Sequence, residues 1–474
     1  MEKTNAGLRA QILQGGTYLV LRRASSIVLN LLNIVVLTKL LGVGGYGLYT
    51  AAIIIYGYVS SLSHLGVGVY LIRQETASET DYHQTFTLCA TLSIVGLIGG
   101  AAAIPFVARL SDIDGLMPVL FVMLAALPLT LTTAVPAAIL ERGLQYKPLT
   151  VADLFGQIVF SVAGLSLVWF GFGIWGVVVG WWLQQIIVAA WLYKSSNYRP
   201  RFDWNFERFK RMLNYGFSFS LSLWIWQARD LVNPLLVGHF AGAEAVGIVA
   251  LTIRIVQALS FIKDATWRLS IAAFGQIQSD RAKLLTAIRE GMFLQTLALG
   301  PILIVFGWLA PVVLPLFFGG ETARVLDLYP FVALSFLVNS AFNMHSAALY
   351  VRECNFSVAV FHTIHVVLFF GATILFVSLA GINGYGWAEL AAMPAYWVVY
   401  LAVRRRVGAF PMSQALLMLA VFALALFTNY LGWLAAIPLL VLPFNRNIRR
   451  DAVKIFRVVL AHLNFKRYLK FATN

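Results

Sequence analysis

The sequence predicts an all-α polytopic membrane protein of about 14 transmembrane helices, arranged as two pseudo-symmetric six-helix lobes plus two C-terminal helices. Three observations carry this. Of the 474 residues, 60% are hydrophobic and only 12% charged, with a mean hydropathy of +0.80, whereas a soluble domain carries about 25% charge. Apolar runs of the roughly 20 residues that cross a bilayer recur along the whole chain. Residue patterns of the first half return in the second at an offset of about 200 positions.

The first apolar run, 17–41, is long, lacks an A-x-A-like cleavage site and leads directly into another run. It reads as a span, not a cleavable signal. Spans 2 to 6 follow at 46–71, 83–108, 116–140, 150–171 and 174–193, completing an N-terminal lobe over 1–194. The basic stretch "KSSNYRPRFDWNFERFKR" supplies a cytoplasmic linker, 195–214. Spans 7 to 12 fall at 215–238, 244–266, 291–317, 327–351, 357–379 and 383–403, within a C-terminal lobe over 215–406. Two shorter spans, 412–428 and 430–445, occupy 407–446. The basic tail 447–474 carries Ile448, Ile455, Val459 and Leu463 at helical spacing, the pattern of an amphipathic helix on anionic lipid. "AGLRAQILQ" near the N-terminus reads the same way.

The basic residues set the orientation. With Met1 cytoplasmic, the outer connections hold only Lys39, Arg109 and Arg324, while Arg229 and Arg254 lie deep in spans. The rest of the 35 Lys and Arg sit in cytoplasmic segments or at cytoplasmic helix ends. This positive-inside bias places both termini on the cytoplasmic side of the membrane. It also accounts for the net charge of +15 without nucleic acid, for which no basic motif is visible. Cys89 and Cys354 lie within or at the ends of spans, so no structural disulfide is expected. No metal or cofactor motif appears.

"GVGGYG", residues 42–47, matches the G-x-G-x-x-G dinucleotide pattern. A nucleotide site needs a preceding strand, a following helix and an acidic residue about 20 positions on. Here spans flank the motif, and "YVSSLSH" stands where the acid should be. The repeat gives another reading. "NIVVLTKLLGVGGYG" at 33 parallels "NPLLVGHFAGAEAVG" at 233, matching Asn33 with Asn233, Gly42 with Gly242 and Gly47 with Gly247. "AAILERGLQY" at 137 parallels "AALYVRECNF" at 347, and "GIWG" at 173 parallels "GING" at 381. The repeat is therefore parallel, and the glycines serve a tight outer turn used twice.

"LTKLLGVGGYGLYTAA", "LGVGVYLIRQE", "LERGLQYKPL" and "PLLVGHFAGAEAVGIVALTIRI" resemble the polysaccharide (Wzx-type) flippase branch of the multidrug/oligosaccharidyl-lipid/polysaccharide exporter superfamily, over spans 1–12. The resemblance implies two lobes around a central cavity that opens alternately to each side. It implies an undecaprenyl-pyrophosphate-linked oligosaccharide as cargo, moved to the outer leaflet. A polysaccharide polymerase and chain-length machinery are the implied partners, besides membrane lipid. The stretch "QARDLVNP" in span 7 departs from the common family pattern.

A charge at mid-bilayer costs several kcal/mol, roughly 2.5–3.5 on insertion scales, so it faces a cavity or a partner. Arg229 and Arg254 sit at similar distances from the turn near Ala241. Ser218, Ser222, Arg229 and Asn233 share a helical face; Arg22, Ser26, Asn30 and Asn33 form a comparable stripe on span 1. Arg229, Arg254, Arg22, Arg23, Asn33 and Asn233 are thus the candidates for a cationic cavity that takes a pyrophosphate, to which the arginine fork is suited. A structural ion pair, or snorkelling at Arg22 and Arg23, is the competing explanation. Asp230, Glu389, His362 and His365 are candidates for tuning the site or coupling to H+ or Na+. His64, Asn339, Asn343 and His345 either line a sugar path or bond helices together. Lys263, Asp264 and Arg268 read as inner-interface anchors. Glu141 with Arg142, and Arg352 with Glu353, read as inner-surface pairs and a candidate gate.

Two other functions compete. A multidrug-type cation antiporter should carry carboxylates where this chain carries arginines. A membrane glycosyltransferase or polymerase would use "DID" at 112–114 for metal, but every outer connection is about ten residues or fewer, and the motif reads as a solvated turn. A transporter, not an enzyme, is expected.

Overall fold

A computed structural model is helical, with no strand among the described residues. It describes the backbone of residues 2–73, 77–451 and 453, and their side chains except at 2–21, 23–24, 73, 215, 218–219, 264–265 and 268. Arg23, Ser218, Asp264, Arg268, the side chains of "AGLRAQILQ" and the tail beyond 453 lie outside the described residues.

Among the described residues, eight helices are long and apolar enough to cross a bilayer. Some hold two expected spans. Ser25–His64 contains most of span 1 and of span 2 and breaks at Gly42. Ser220–Leu259 contains most of spans 7 and 8 and breaks at Gly242. Tyr146–Ser196 contains spans 5 and 6, with left-handed glycines at 171 and 173 between them. Spans 3, 4, 9, 10 and 11 lie on Glu79–Ser111, Leu116–Arg142, Arg281–Val313, Pro315–Val351 and Asn355–Ala380. The fourteenth expected span is built differently: after the α-helical turn Thr428–Leu431 and a break at Gly432, Trp433–Leu440 is a 3-10 helix and Val441–Phe444 is α-helical. At about 2.0 Å and 1.5 Å per residue the last two reach roughly 22 Å, short of the ~30 Å hydrocarbon core.

The chain forms two compact units. One comprises Met1–Arg254, Phe317–Glu321 and Val366–Ala388; the other comprises Ile255–Leu316, Thr322–His365 and Glu389–Asn474.

The repeat is present in the backbone. Gly42 has φ 73° and ψ 169°, and Gly242 has φ 80° and ψ 177°. Only glycine occupies that region readily. At the next inner turn, Leu144 (φ 53°) and Glu353 (φ 57°) are both left-handed. There Gln145 donates to the carbonyl of Leu140 and Cys354 to that of Leu349, each at 2.8 Å, closing equivalent helix ends. Gly173 (φ 55°) and Gly381 (φ 58°) repeat a third turn. A methyl at Gly176 would lie 2.7 Å from the nitrogen of Val168, and one at Gly384 would overlap the carbonyl of Phe376.

Within the first unit the two glycine turns meet. A methyl at Gly47 would overlap the carbonyl oxygen of Ala243, and one at Gly247 would overlap that of Val43. Each hairpin tip thus presses its glycine onto the other's backbone, by the same pair of positions in reverse. "GVGGYG" has helices on both sides, without the preceding strand that a nucleotide site needs, and its last glycine is packed against backbone. Span 7 continues this packing along the first repeat. Trp224 Nε1 donates to the Ser61 carbonyl at 2.9 Å. A methyl at Gly216 would overlap the Leu65 carbonyl, and one at Gly238 would lie 2.8 Å from that of Ser111. With no hydrophobic drive between helices in lipid, such small-residue contacts hold the hairpins together.

The glycines separate into three kinds. Gly42 has open space around it but an unusual φ; Gly47 has no room; Gly44 has space and no positive φ. Gly47→Ala and Gly247→Ala should therefore lower the thermal unfolding temperature in detergent most. Gly42→Ala should cost about 1–3 kcal/mol of backbone strain, and Gly44→Ala close to nothing. An equal loss at Gly44 and Gly47 would show that packing of the turns does not matter.

Candidate functional site

Span 7 is regular only to Ala228. Arg229–Leu231 is a 3-10 turn and Asn233–Val237 a π-helical turn. Pro234 lacks an N–H and crowds the carbonyl four residues back, which is that of Asp230. The expected polar face of this span is therefore distorted at Arg229 and Asn233, because α-helical spacing fails there.

Arg229 is half-buried. Its guanidinium stands 4.7 Å from the ring centroid of Phe369, which comes from span 11, and 5.9 Å from that of Trp226. Such stacking uses the flat face of the group, whereas the N–H fork lies in its plane. A phosphate bound edge-on is compatible with it. Arg254 is exposed and shares a side-chain hydrogen bond with the hydroxyl of Tyr46. Both arginines belong to the first unit. Asp230, beside Arg229, is exposed.

The asparagines are buried. Asn233 donates from Nδ2 to the carbonyl of Val246 at 3.2 Å, joining the two arms of its hairpin. Asn33 is 6% exposed.

The stripe on span 1 has partners on span 5. Arg22 forms an ion pair with Asp153, and Gln157 Nε2 donates to Ser26 Oγ at 2.9 Å. Residues 153 and 157 are one helical turn apart, as are 22 and 26, so the two helices are joined by a polar zipper. Asp153 escaped sequence reasoning, which looked for intramembrane cations. A carboxylate inside "VADLFGQIV" was the available signal.

In the second unit, Glu389 is fully buried and accepts from Ser335 Oγ at 2.7 Å. His365 is buried beside Tyr396, at 5.6 Å between ring centroids, and His362 is half-buried beside Phe361. Lys263 donates to Asn339 Oδ1 at 2.8 Å, and Asn339 Nδ2 donates to the hydroxyl of Tyr396 at 2.9 Å. His345 is fully buried, stacked on Phe342 with Phe410 nearby.

Arg142 and Arg352 act alike within their own repeats. Arg142 Nη1 donates to the carbonyl of Leu71 at 2.7 Å, and Arg352 Nη1 to that of Gln278 at 3.0 Å. Each cation satisfies a carbonyl at a helix end. Asp112, in the "DID" turn, is the left-handed cap of Glu79–Ser111, its N–H donating to Ala108 at 3.1 Å.

Long apolar helices, a two-fold internal repeat and charges lodged within the spans define a multi-pass α-helical protein with the fold of the multidrug and lipid exporters. Residues 36–323 match the model of the polysaccharide biosynthesis protein family, and the chain belongs to that family. It is similar to the succinoglycan biosynthesis transport protein ExoT of Rhizobium meliloti (strain 1021), 20% identical over 318 residues, covering 67% of this chain and 64% of that protein. It is also similar to the amylovoran biosynthesis protein AmsL of Erwinia amylovora, 25% identical over 181 residues, or 37% of this chain and 46% of the relative. The chain thus spans less than two thirds of either relative's length. In fold it is similar to the lipid II flippase MurJ in an inward closed conformation, with a TM-score of 0.70 at 14% identity, covering 95% of this chain and 100% of that one. A multidrug resistance MATE family transporter in an inward-facing conformation gives 0.63 at 18% identity, covering 80% and 94%.

Removing one member of the Arg22–Asp153 pair leaves an uncompensated charge between helices, whereas removing both does not. Asp153→Ala should therefore lower the fraction of monodisperse protein recovered by size exclusion in detergent. The Arg22→Met, Asp153→Leu double variant should restore most of it. Full recovery of Asp153→Ala alone would show that the pair contributes nothing.

Proposed function

We propose that this chain is a flippase that carries an undecaprenyl-pyrophosphate-linked oligosaccharide from the inner to the outer leaflet of the bacterial inner membrane, for assembly of a surface polysaccharide. The observation that carries the reading is Arg229: a half-buried guanidinium in the interrupted part of span 7, stacked on Phe369. A cation kept inside the membrane at this cost suits an anionic ligand that arrives and leaves. Membership of the polysaccharide biosynthesis family supports a glycan cargo. The succinoglycan transport protein and the lipid II flippase among its likenesses support a lipid-linked one.

On this reading, lobes 1–194 and 215–406, joined by the linker 195–214 and related by an axis along the membrane normal, rock against each other and expose the site to each side in turn. Arg229 and Arg254 receive the pyrophosphate, and Asp230 lowers the net charge of the empty site. Glu389, buried against Ser335, is the carboxyl best placed to carry a coupling H+ or Na+. Both termini are cytoplasmic, so reporter fusions at Phe410 and Asn474 should both register the inner side. Polymerase and chain-length proteins would take the cargo at the outer face. A multidrug antiporter fits less well, because the charges within span 7 and span 8 are led by arginine.

The test is translocation in proteoliposomes, read as loss of inner-leaflet protection of a fluorescent polyprenyl-diphosphate oligosaccharide. Arg229→Ala and Arg254→Ala should each slow transport about 10- to 150-fold, the worth of a charge-assisted hydrogen bond. Arg→Lys should recover part of the rate, since lysine keeps the charge but loses the fork. Phe369→Ala should slow it about fivefold, as one cation–π contact is removed, and Phe369→Trp should not. Wild-type rates from the Arg229→Ala, Arg254→Ala double variant would overturn the proposal.

A further inference from the structure

Helix Gly173–Ser196 ends on Asn197 in the left-handed region, and helix Phe206–Ala228 begins after the cap Asn205. Between them runs a strap, 197–205, that is not helical but is fastened at many points. Tyr198 donates its hydroxyl hydrogen to the carbonyl of Tyr82 at 3.2 Å. Burial pushes the Tyr198 phenol well above its ordinary range, so it stays a donor. The N–H of Asp203 donates to Thr87 Oγ1 at 2.8 Å, and Gln84 Nε2 donates to its carboxylate at 3.1 Å. Asn205 accepts from the N–H of Arg208 at 3.0 Å. Arg208 itself pairs with buried Asp81 and donates to Gln84 Oε1 at 2.9 Å.

Asp203 and Asn205 are committed to these bonds, and the residues alternating with them are largely exposed, Phe202 meeting Phe86 and Trp204 meeting Phe209 on one side only. Phe202, Trp204 and Phe206 are 70%, 66% and 79% exposed. Arg199 and Arg201 are exposed beside them, and Lys210 and Arg211 continue the positive charge onto the next helix against one exposed acid, Glu207. Three aromatic rings presented outward cost nothing only if something apolar receives them, and the cations beside them need an anion. The strap lies where two spanning helices end, which is the level of the lipid headgroups.

We propose that the strap 197–205, with Lys210 and Arg211, is a docking surface for acidic phospholipid, its rings set into the interface and its arginines on headgroup phosphates. This site is separate from the cargo site and does not depend on the flippase reading. It makes the join between the two repeats a lipid-anchored element, sensitive to the composition of its leaflet.

The test uses the full chain in vesicles of phosphatidylcholine with increasing fractions of brominated phosphatidylglycerol or brominated phosphatidylcholine. The signal of Trp204 is the difference between the wild type and Trp204→Phe. Because both leaflets carry the quencher, an inverted topology would not abolish it. Brominated phosphatidylglycerol should half-quench Trp204 at a lower mole fraction than brominated phosphatidylcholine. Arg199→Gln and Arg201→Gln should each weaken that preference about fivefold, the effect of one basic residue at a charged surface. Arg199→Lys and Arg201→Lys should keep it, and unchanged thermal unfolding will separate lipid contact from folding. Equal quenching by the two lipids would overturn headgroup recognition. No quenching by either would overturn the lipid contact and point to water or a protein partner.

Discussion

Two hairpin tips touch backbone to backbone through Gly47 and Gly247, and much of the first unit is arranged around that approach. A carbonyl oxygen occupies the place where any side chain would begin, so the contact exists only for glycine. It also occurs twice, with Val43 facing Gly247 and Ala243 facing Gly47. A contact repeated with the roles exchanged is the mark of a two-fold axis between the hairpins. Once the tips are fixed, span 7 runs down the first repeat, and Trp224 and Gly216 meet residues 61 and 65. The placement of Arg254 at Tyr46 follows from the same registration. In lipid this geometry has no hydrophobic substitute, because tails are as apolar as the side chains they would displace.

The hairpins, the turns and the repeat were legible in the sequence because they rest on local chemistry. A glycine that must adopt a forbidden φ, or must leave room for a backbone, appears in the sequence as a glycine. Gly42 with Gly242 and Gly173 with Gly381 were paired by letters alone, and the backbone pairs them too. The inner turns at Leu144 and Glu353 extend the pairing to residues unlike in chemistry. What was not legible is what depends on distant residues. Phe369 lies far along the chain from Arg229 and carries no charge to advertise it. The stripe on span 1 was read as facing a cavity because a helical wheel gives a face but not its neighbour. Its neighbour is the stripe Asp153 and Gln157. Arg142 and Arg352, read as pairing with adjacent glutamates, reach carbonyls at helix ends on other segments, which the sequence does not reveal.

Irregular helix and the proposed site coincide in span 7. An α-helix satisfies its own backbone, which is why it can cross lipid at all. The 3-10 and π turns around Pro234 give up part of that satisfaction, and they do so beside Arg229 and Asp230. Such a defect is tolerated only where protein or water takes the freed groups. Asn233, bonded to Val246, shows part of how the hairpin compensates. Span 5 has π turns at Phe160–Gly164 and Val168–Phe172 with no charge in either, so irregularity by itself does not make a site.

The scaffold is symmetric while its charges are not. At the repeat offset of about 200 positions, Arg229 falls on Leu29, Arg254 on Ile54 and Arg22 on Ser222. The first repeat's described intramembrane cation, Arg22, is balanced by Asp153 in an ion pair. The second repeat places its cations on aromatic partners, Phe369 for Arg229 and Tyr46 for Arg254. A phenol or a phenyl ring stabilises a guanidinium without cancelling its charge, whereas a carboxylate cancels it. On the proposed function, the charge that meets a diphosphate is carried by the second repeat. A lipid-linked glycan is itself one-sided, with its diphosphate between a long apolar chain and a neutral or acidic sugar. On the proposed function, a repeated frame serves alternate access, and cations found in one repeat only give the phosphates one place.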